Sequence, residues 1–391
     1  MMRTEDLYRS TRIKPLKYPL HDTPHATIEI NRNCNIQCRS CYNLSREYVK
    51  SLDEVKKEID LITEKRNLSV LTILGGEPTL HPDLANIVAY VKSKKLICQL
   101  LTNGIVILQD KNDQLLNELI RSGVDKILLH IDIGQIHVHG DIEQIRNTMF
   151  TKLEEKKVNF SLSITIYNDY TCMIPALVKE YSRYNFFDGV LAVLARDPLP
   201  PKTQDAELYD EYRSIYEKLS IEPIAYIPSS MDDDSIHWLI YFYFINAHTG
   251  KTFGISPFLN RIGRKIYRWS KGRHLFAIKP HLFLSPLCFF LLGLIDSVLH
   301  PKKIVCFFKM LLPILQSKMI RFHYIAIQTP PEVNEEKNIV NLCYHCPDAT
   351  IRNGKLTPVC IADFINPLDG IKNGHYSEDL FQAAYAHLEE L

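Results

Sequence analysis

The chain has 391 residues, 46% hydrophobic and 23% charged. That balance excludes a disordered polymer and allows one large domain with an appendage, or two domains. A formal net charge of +1 gives no overall reason to expect a nucleic-acid partner. The first ten residues carry charge where a secretion signal needs an apolar stretch. Ten cysteines therefore read as reduced thiols, metal ligands or packed core in a cytoplasmic setting rather than as disulfides.

After an N-terminal extension (1–24), short apolar runs alternate with longer amphipathic ones. Strands are predicted over 26–31, 70–74, 97–102, 126–131, 159–166 and 190–195. Each is rich in Ile, Leu and Val, as parallel strands covered on both faces are. Helices are predicted over 52–66, 83–94, 112–122, 141–157 and 171–185. Ser51 with Glu54, and Asp83, serve as start signals, and Gly104, Gly123 and Gly189 punctuate the joins. Six strand–helix repeats over residues 25–200 imply an α/β fold, a partial (β/α)6 TIM-like barrel with ligands at the C-terminal ends of its strands. A flat doubly wound sheet satisfies the same alternation.

Cys34, Cys38 and Cys41 directly follow the first predicted strand. Their spacing can wrap one face of an iron–sulfur cubane. A structural cluster or zinc site is normally closed by four ligands, so three leave a position for a small molecule. Gly75-Gly76-Glu77-Pro78 follows the second strand and Thr102-Asn103-Gly104 the third. In this order, over residues 25–200, the three motifs resemble the radical S-adenosylmethionine (radical SAM) superfamily.

That resemblance implies a [4Fe–4S] cluster on Cys34, Cys38 and Cys41, with S-adenosylmethionine on the open iron. It also implies reductive cleavage to a 5′-deoxyadenosyl radical, and a reductase or a ferredoxin- or flavodoxin-type electron donor. Gly75, Gly76, Glu77 and Pro78 would meet the methionine ammonium, with Asn103 beside them. The family often has an aromatic residue before the third cysteine; here Ser40 stands there and Tyr42 follows. His130 and Asp132, at the fourth strand's end, and Ser161 and Ser163, along the fifth with Thr165, are candidates for the remaining cofactor contacts. Alternation places the last three on one face, either the barrel interior or its helix-covered exterior.

Residues 201–330 are read as a helical, basic and apolar insert. Between Ser235 and Pro331, thirteen Lys or Arg accompany one acid, Asp296, so the stretch carries about +12 and the remainder about −11. Its uncharged run over 282–295, as a helix, reaches about 21 Å, short of the roughly 30 Å hydrocarbon core. An interfacial element on the anionic inner face of a membrane is expected, aided by aromatics such as Trp269, Phe276, Phe283 and Phe308. A buried helical hairpin capping the barrel is the alternative.

A small C-terminal region (331–391) carries Cys343, Cys346 and Cys360. The stretch between them reads as a hairpin turning at Asn353-Gly354, which would return Cys360 towards the pair. It resembles the auxiliary iron–sulfur regions of radical SAM enzymes; a zinc site is the other reading. Cys98, Cys172, Cys288, Cys306 or His345 could complete it, and a short helix is expected at 380–388. An apolar or lipid-linked substrate is the leading expectation. A peptide-modifying maturase is the alternative, and a non-catalytic iron–sulfur or zinc protein the third.

Overall fold

A computed structural model describes residues 13–43, 48–135, 140–195, 207–231, 233, 235–273, 285–314, 320–334 and 339–365. The helix expected at 380–388, and Phe276 and Phe283, lie outside these residues.

The six predicted parallel strands form: β1 (His25–Glu29), β2 (Val70–Leu74), β3 (Ile97–Thr102), β4 (Lys126–His130), β5 (Asn159–Ile166) and β6 (Phe187–Leu194). They lie side by side in chain order, each parallel to the next. The connecting helices are α1 (Leu52–Lys65), α2 (Leu84–Ser93), α3 (Ile105–Gln109), α4 (Gln114–Ser122), α5 (Ile142–Glu155) and α6 (Ile174–Tyr181). Ser51 and Glu54 close a capping box on α1, each side chain accepting from the other's backbone N–H. Asp83 occupies the position before α2 but makes no side-chain cap bond. The fold is α/β with a mostly parallel sheet, as a partial TIM-like barrel requires.

The sheet does not stop at β6. Following α7 (Leu208–Leu219) come β7 (Ala225–Pro228), the eleven-residue β8 (Ile236–Asn246) and β9 (Thr252–Gly254). Next are helices α8 (Pro257–Lys271), α9 (Ser285–Leu299) and α10 (Ile304–Ile314), then β10 (Ile320–Gln328). β10 pairs parallel to β6, and β8 pairs antiparallel to β10 and β7. The stretch read as a helical insert thus supplies strands to the barrel sheet. The sequence Trp238-Leu-Ile-Tyr-Phe-Tyr-Phe-Ile245 carries the β-branched and aromatic signature of a strand, which the surrounding charge pattern masks. Gly189 permits the β6–β10 approach: a Cβ there would sit 2.1 Å from the Tyr324 carbonyl oxygen.

The C-terminal region packs between β1 and β7. Short strands β11 (Glu332–Asn334) and β12 (Ile339–Asn341) pair, and β13 (Ala349–Arg352) and β14 (Lys355–Pro358) form the expected hairpin. Ser229 bridges to Cys343, and the ring nitrogen His25 Nδ1 lies 2.9 Å from the Pro347 carbonyl oxygen. Glu29, Arg32, Arg352 and Asp363 make a buried ion-pair cluster that ties this tail to β1 and the loop after it.

Within the barrel, Lys126 at the start of β4 meets Asp188 of β6 at 2.7 Å. Ser161 Oγ donates to Asp188 at 2.6 Å and accepts from Tyr324 of β10 at 3.0 Å. Burial pulls the Lys126 ammonium down, but Asp188 and Tyr324 together outweigh it and the net shift is upward.

Candidate active site

The loop following β1 carries Cys34, Cys38 and Cys41, all partly buried and all lining one cavity of about 1330 Å³, open mouth included. The opposing wall is the Gly75–Glu77 turn after β2, with Asn103 after β3, His130 at the end of β4 and Ser163 and Thr165 on β5. These residues meet because the parallel strands β1–β6 and β10 all point their C-terminal ends at this side of the sheet.

Gly75 and Gly76 act first on the protein itself. A Cβ on Gly75 would stand 2.4 Å from the Asn31 carbonyl oxygen, and one on Gly76 would stand 2.2 Å from that of Asn33. The turn is thereby pressed onto the cysteine loop. Gly76 N–H donates to Asn31 O (2.9 Å) and Glu77 N–H to Asn33 O (2.8 Å).

Glu77 is a buried hub. Its Oε1 accepts from Thr79 N (3.0 Å), Thr79 Oγ1 (2.6 Å) and Thr102 Oγ1 (2.6 Å), and its Oε2 accepts from Asn103 N (2.8 Å). Burial raises its pKa more than these donors lower it. The carboxylate joins the second and third motifs, and Oε2 retains acceptor capacity. Pro78 opens the short 3-10 turn behind it and does not line the cavity. Asn103 spends its side chain on the loops, donating to Asn35 Oδ1 (2.8 Å) and accepting from Ile105 N (3.0 Å).

Asp132 lies behind the wall. Its Oδ1 accepts from Gly134 N (2.8 Å), its Oδ2 accepts from Thr165 N (2.6 Å), and His130 Nε2 lies 3.3 Å from Oδ2. It joins the ends of β4 and β5 and orients His130. Ser161 shares the inward face of β5 with Ser163 and Thr165, yet it belongs to the Lys126–Asp188–Tyr324 group deeper in the barrel, outside this cavity.

Several residues of the site carry no motif. Gln135 donates to Cys38 Sγ (3.5 Å) and to His130 O (2.8 Å). Gln328, the last residue of β10, and Thr329, Pro330 and Pro331 beyond it complete the wall. Their one sequence signal is β10 itself, and its place beside β6 is fixed by pairing.

Cys343 and Cys346 are buried and in hydrogen-bonding contact with each other, a contact that raises the Cys346 thiol together with burial. Arg66 Nη2 donates to Cys346 O (2.9 Å), and His345 Nδ1 lies 2.5 Å from Tyr18 O. The β13–β14 hairpin returns the chain to Asp348, whose carbonyl accepts from Val359 N (2.9 Å). Cys360, one residue on, lines the cavity of the first cysteine triplet. Cys98 sits in the core on β3, Cys172 precedes α6 and Cys306 lies on α10, while the Cys288 side chain lies outside the described residues.

Among the described residues, no three His, Cys, Asp or Glu side chains gather as for a single metal ion. What the first loop offers is three thiols from one short segment facing a shared cavity. Soft thiolates in that number suit an iron–sulfur cluster with one position left toward the cavity. Burial pushes the Cys38 thiol up to about 12, the Gln135 amide opposing and Cys41, Asp132 and Cys34 adding, so loading a metal centre would release protons.

Residues 28–155 match the family described as the Radical SAM superfamily. That segment, about a third of the chain, is similar to radical SAM enzymes. One relative is the antilisterial bacteriocin subtilosin biosynthesis protein AlbA of Bacillus subtilis, 30% identical over 118 residues, covering 29% of this chain and 25% of that protein. The cofactor-modifying protein of the tungsten-containing aldehyde ferredoxin oxidoreductase of Pyrococcus furiosus is 25% identical over 208 residues, covering 47% and 54%. The PqqA peptide cyclase of Streptomyces rochei is 30% identical over 108 residues, covering 27% and 28%. The chain thus spans about half or less of each of these relatives. The crystal structure of Streptococcus suis SuiB bound to S-adenosylmethionine aligns with a TM-score of 0.41 at 17% identity, covering 54% of this chain and 48% of that one.

Proposed function

We propose that this chain binds a [4Fe–4S] cluster through Cys34, Cys38 and Cys41 and cleaves S-adenosylmethionine there to modify a peptide substrate. The observation that carries the reading is the common cavity of the three thiols and the Gly75–Glu77 turn inside the matched segment. When bound, the cluster and S-adenosylmethionine supply a one-electron reductive S–C bond cleavage and hence a radical able to attack an unactivated C–H bond.

The chain's own residues hold and orient. Oε2 of Glu77 and the backbone of Gly75 and Gly76 receive the methionine ammonium, with Pro78 fixing the turn and Asn103 alongside. His130, held by Asp132, and Ser163 face the nucleoside portion. Ser161 acts at a distance, bracing the barrel interior through Asp188. Cys343 and Cys346 belong to a second metal centre, an auxiliary iron–sulfur cluster or zinc, which Cys360 joins only by turning out of the first cavity that it lines, and a reductase, ferredoxin or flavodoxin supplies electrons. The peptide assignment is supported by relatives named for a bacteriocin's biosynthesis and for a peptide's cyclisation. A lipid-linked substrate, the leading expectation from sequence, has the support of the exposed apolar helices described below.

The test is anaerobic reconstitution with iron and sulfide counting, followed by dithionite and S-adenosylmethionine. 5′-Deoxyadenosine should appear, and Cys34→Ala, Cys38→Ala or Cys41→Ala should abolish it. No product from an intact cluster would refute the reading in favour of a non-catalytic iron–sulfur or zinc protein. Co-expression with short peptides encoded nearby, read by mass spectrometry beside a lipid extract, separates the substrate classes. A mass change confined to lipid would overturn the peptide assignment.

A further inference from the structure

α8 carries its apolar face outward. Phe258, Ile262, Ile266 and Trp269 recur at intervals of four, four and three residues, which makes one stripe along the helix. Their exposures are 43%, 39%, 59% and 88%, whereas the buried residue of this helix is Asn260. α9 and α10 extend the same character, with Leu291, Val298, Val305 and Phe308 each half exposed or more. No helix among the described residues is long and apolar enough to cross a membrane. At fifteen residues α8 is about 22 Å long.

The charges bordering the stripe have one sign. α8 contains Arg261, Arg264, Lys265, Arg268 and Lys271 and no acid. Arg268 pairs with Asp22 at 2.9 Å, but Arg261, Arg264 and Lys265 pair with no carboxylate among the described residues. The Nε atoms of Arg261 and Arg264 are buried without an acceptor. Burial, with Arg261 adding, pushes the Arg264 guanidinium down to about 10. Asp296, the single acid between Ser235 and Pro331, is spent internally: its Oδ2 accepts from Ser256 N (3.1 Å) and Lys303 Nζ (2.8 Å). Nothing acidic in this stretch is left for the α8 cations.

We propose that α8, together with the exposed ridges of α9 and α10, docks the protein in the plane of an anionic phospholipid surface. The apolar stripe enters the headgroup–acyl boundary, Trp269 sits at the interface, and the arginines and lysines meet lipid phosphates. A second copy of the chain is a poor occupant, because it would bring five cations of one α8 against five of another. The proposal rests on neither substrate assignment above.

Flotation of the full-length protein with vesicles tests it without any cofactor. Vesicles of phosphatidylcholine mixed with phosphatidylglycerol should carry the protein to the top of a gradient, and added salt should weaken the association. Phosphatidylcholine alone should bind it at least tenfold less. Ile266→Asp with Trp269→Ala, and separately Arg261→Gln with Arg264→Gln, should each lower the bound fraction at least tenfold while the melting midpoint stays unchanged. Absence of flotation on the anionic vesicles would overturn the proposal, as would equal binding to the neutral ones or binding that both variants retain. Loss of a dimer by the variants in sedimentation, without loss of a lipid-bound fraction, would reassign the face to self-association and also overturn it.

Discussion

Replacing Gly76 with alanine tests whether the glycine pair serves the protein's own backbone before any ligand. The added Cβ would stand 2.2 Å from Asn33 O and 2.4 Å from Arg32 O, both backbone atoms, where real Cβ contacts do not fall below 3.0 Å. The turn must retreat by at least about 0.8 Å from the cysteine loop to relieve the closer contact. That movement would stretch the Gly76–Asn31 and Glu77–Asn33 hydrogen bonds, now 2.9 and 2.8 Å, beyond useful length. Two backbone bonds at about 1 kcal/mol each, added to an overpacking strain of about 1–3 kcal/mol, give a loss of about 3–5 kcal/mol. The assay is urea unfolding of the purified protein, paired with equilibrium dialysis of S-adenosylmethionine after anaerobic reconstitution. Stability and affinity should fall together, because one displacement moves both the turn and the loop it touches. An unchanged unfolding midpoint would refute the reasoning. Unchanged stability with lost affinity would show that the glycines answer to the ligand alone.

Glu77→Gln keeps the side-chain shape but leaves only one oxygen for four donors; a destabilisation of about 1–3 kcal/mol is expected in urea unfolding. Lys126→Met strands the Asp188 carboxylate inside the barrel and should cost about 3–5 kcal/mol, whereas pairing it with Asp188→Leu should recover much of that loss in the same measurement. His323 is buried between Phe187 and Tyr243, and burial, with Arg321 adding, pushes it from 6.5 down to about 3. Since the fold favours the neutral ring, this contribution is complete above pH 6.5. It declines as pH falls towards 3, by about 1.4 kcal/mol per unit. His323→Phe should flatten the acid limb of a stability–pH profile by one proton; parallel profiles would argue against a neutral buried ring.

The sequence alone determined what is periodic or closely spaced. Strands β1–β6, the Ser51–Glu54 cap and the three motifs at successive strand ends depend on neighbours within a few residues, so the chain's own pattern makes them legible. Tertiary structure decided the rest, because the partners lie far apart in the chain. Arg32 meets Asp363 across 331 positions, and the glycines of the second motif are needed because the Asn31–Asn33 backbone presses on them. Ser161 and Ser163 share one strand face, yet Asp188 and Tyr324 draw the first into the barrel and leave the second at the cavity. β8 and β10 are hidden within a stretch dominated by its charge, and only pairing, of β10 with β6 and of β8 with β10, assigns them to the barrel. Cys360 meets the same limit: its hairpin is readable from Asn353-Gly354, but the direction its thiol faces is set by packing against β1.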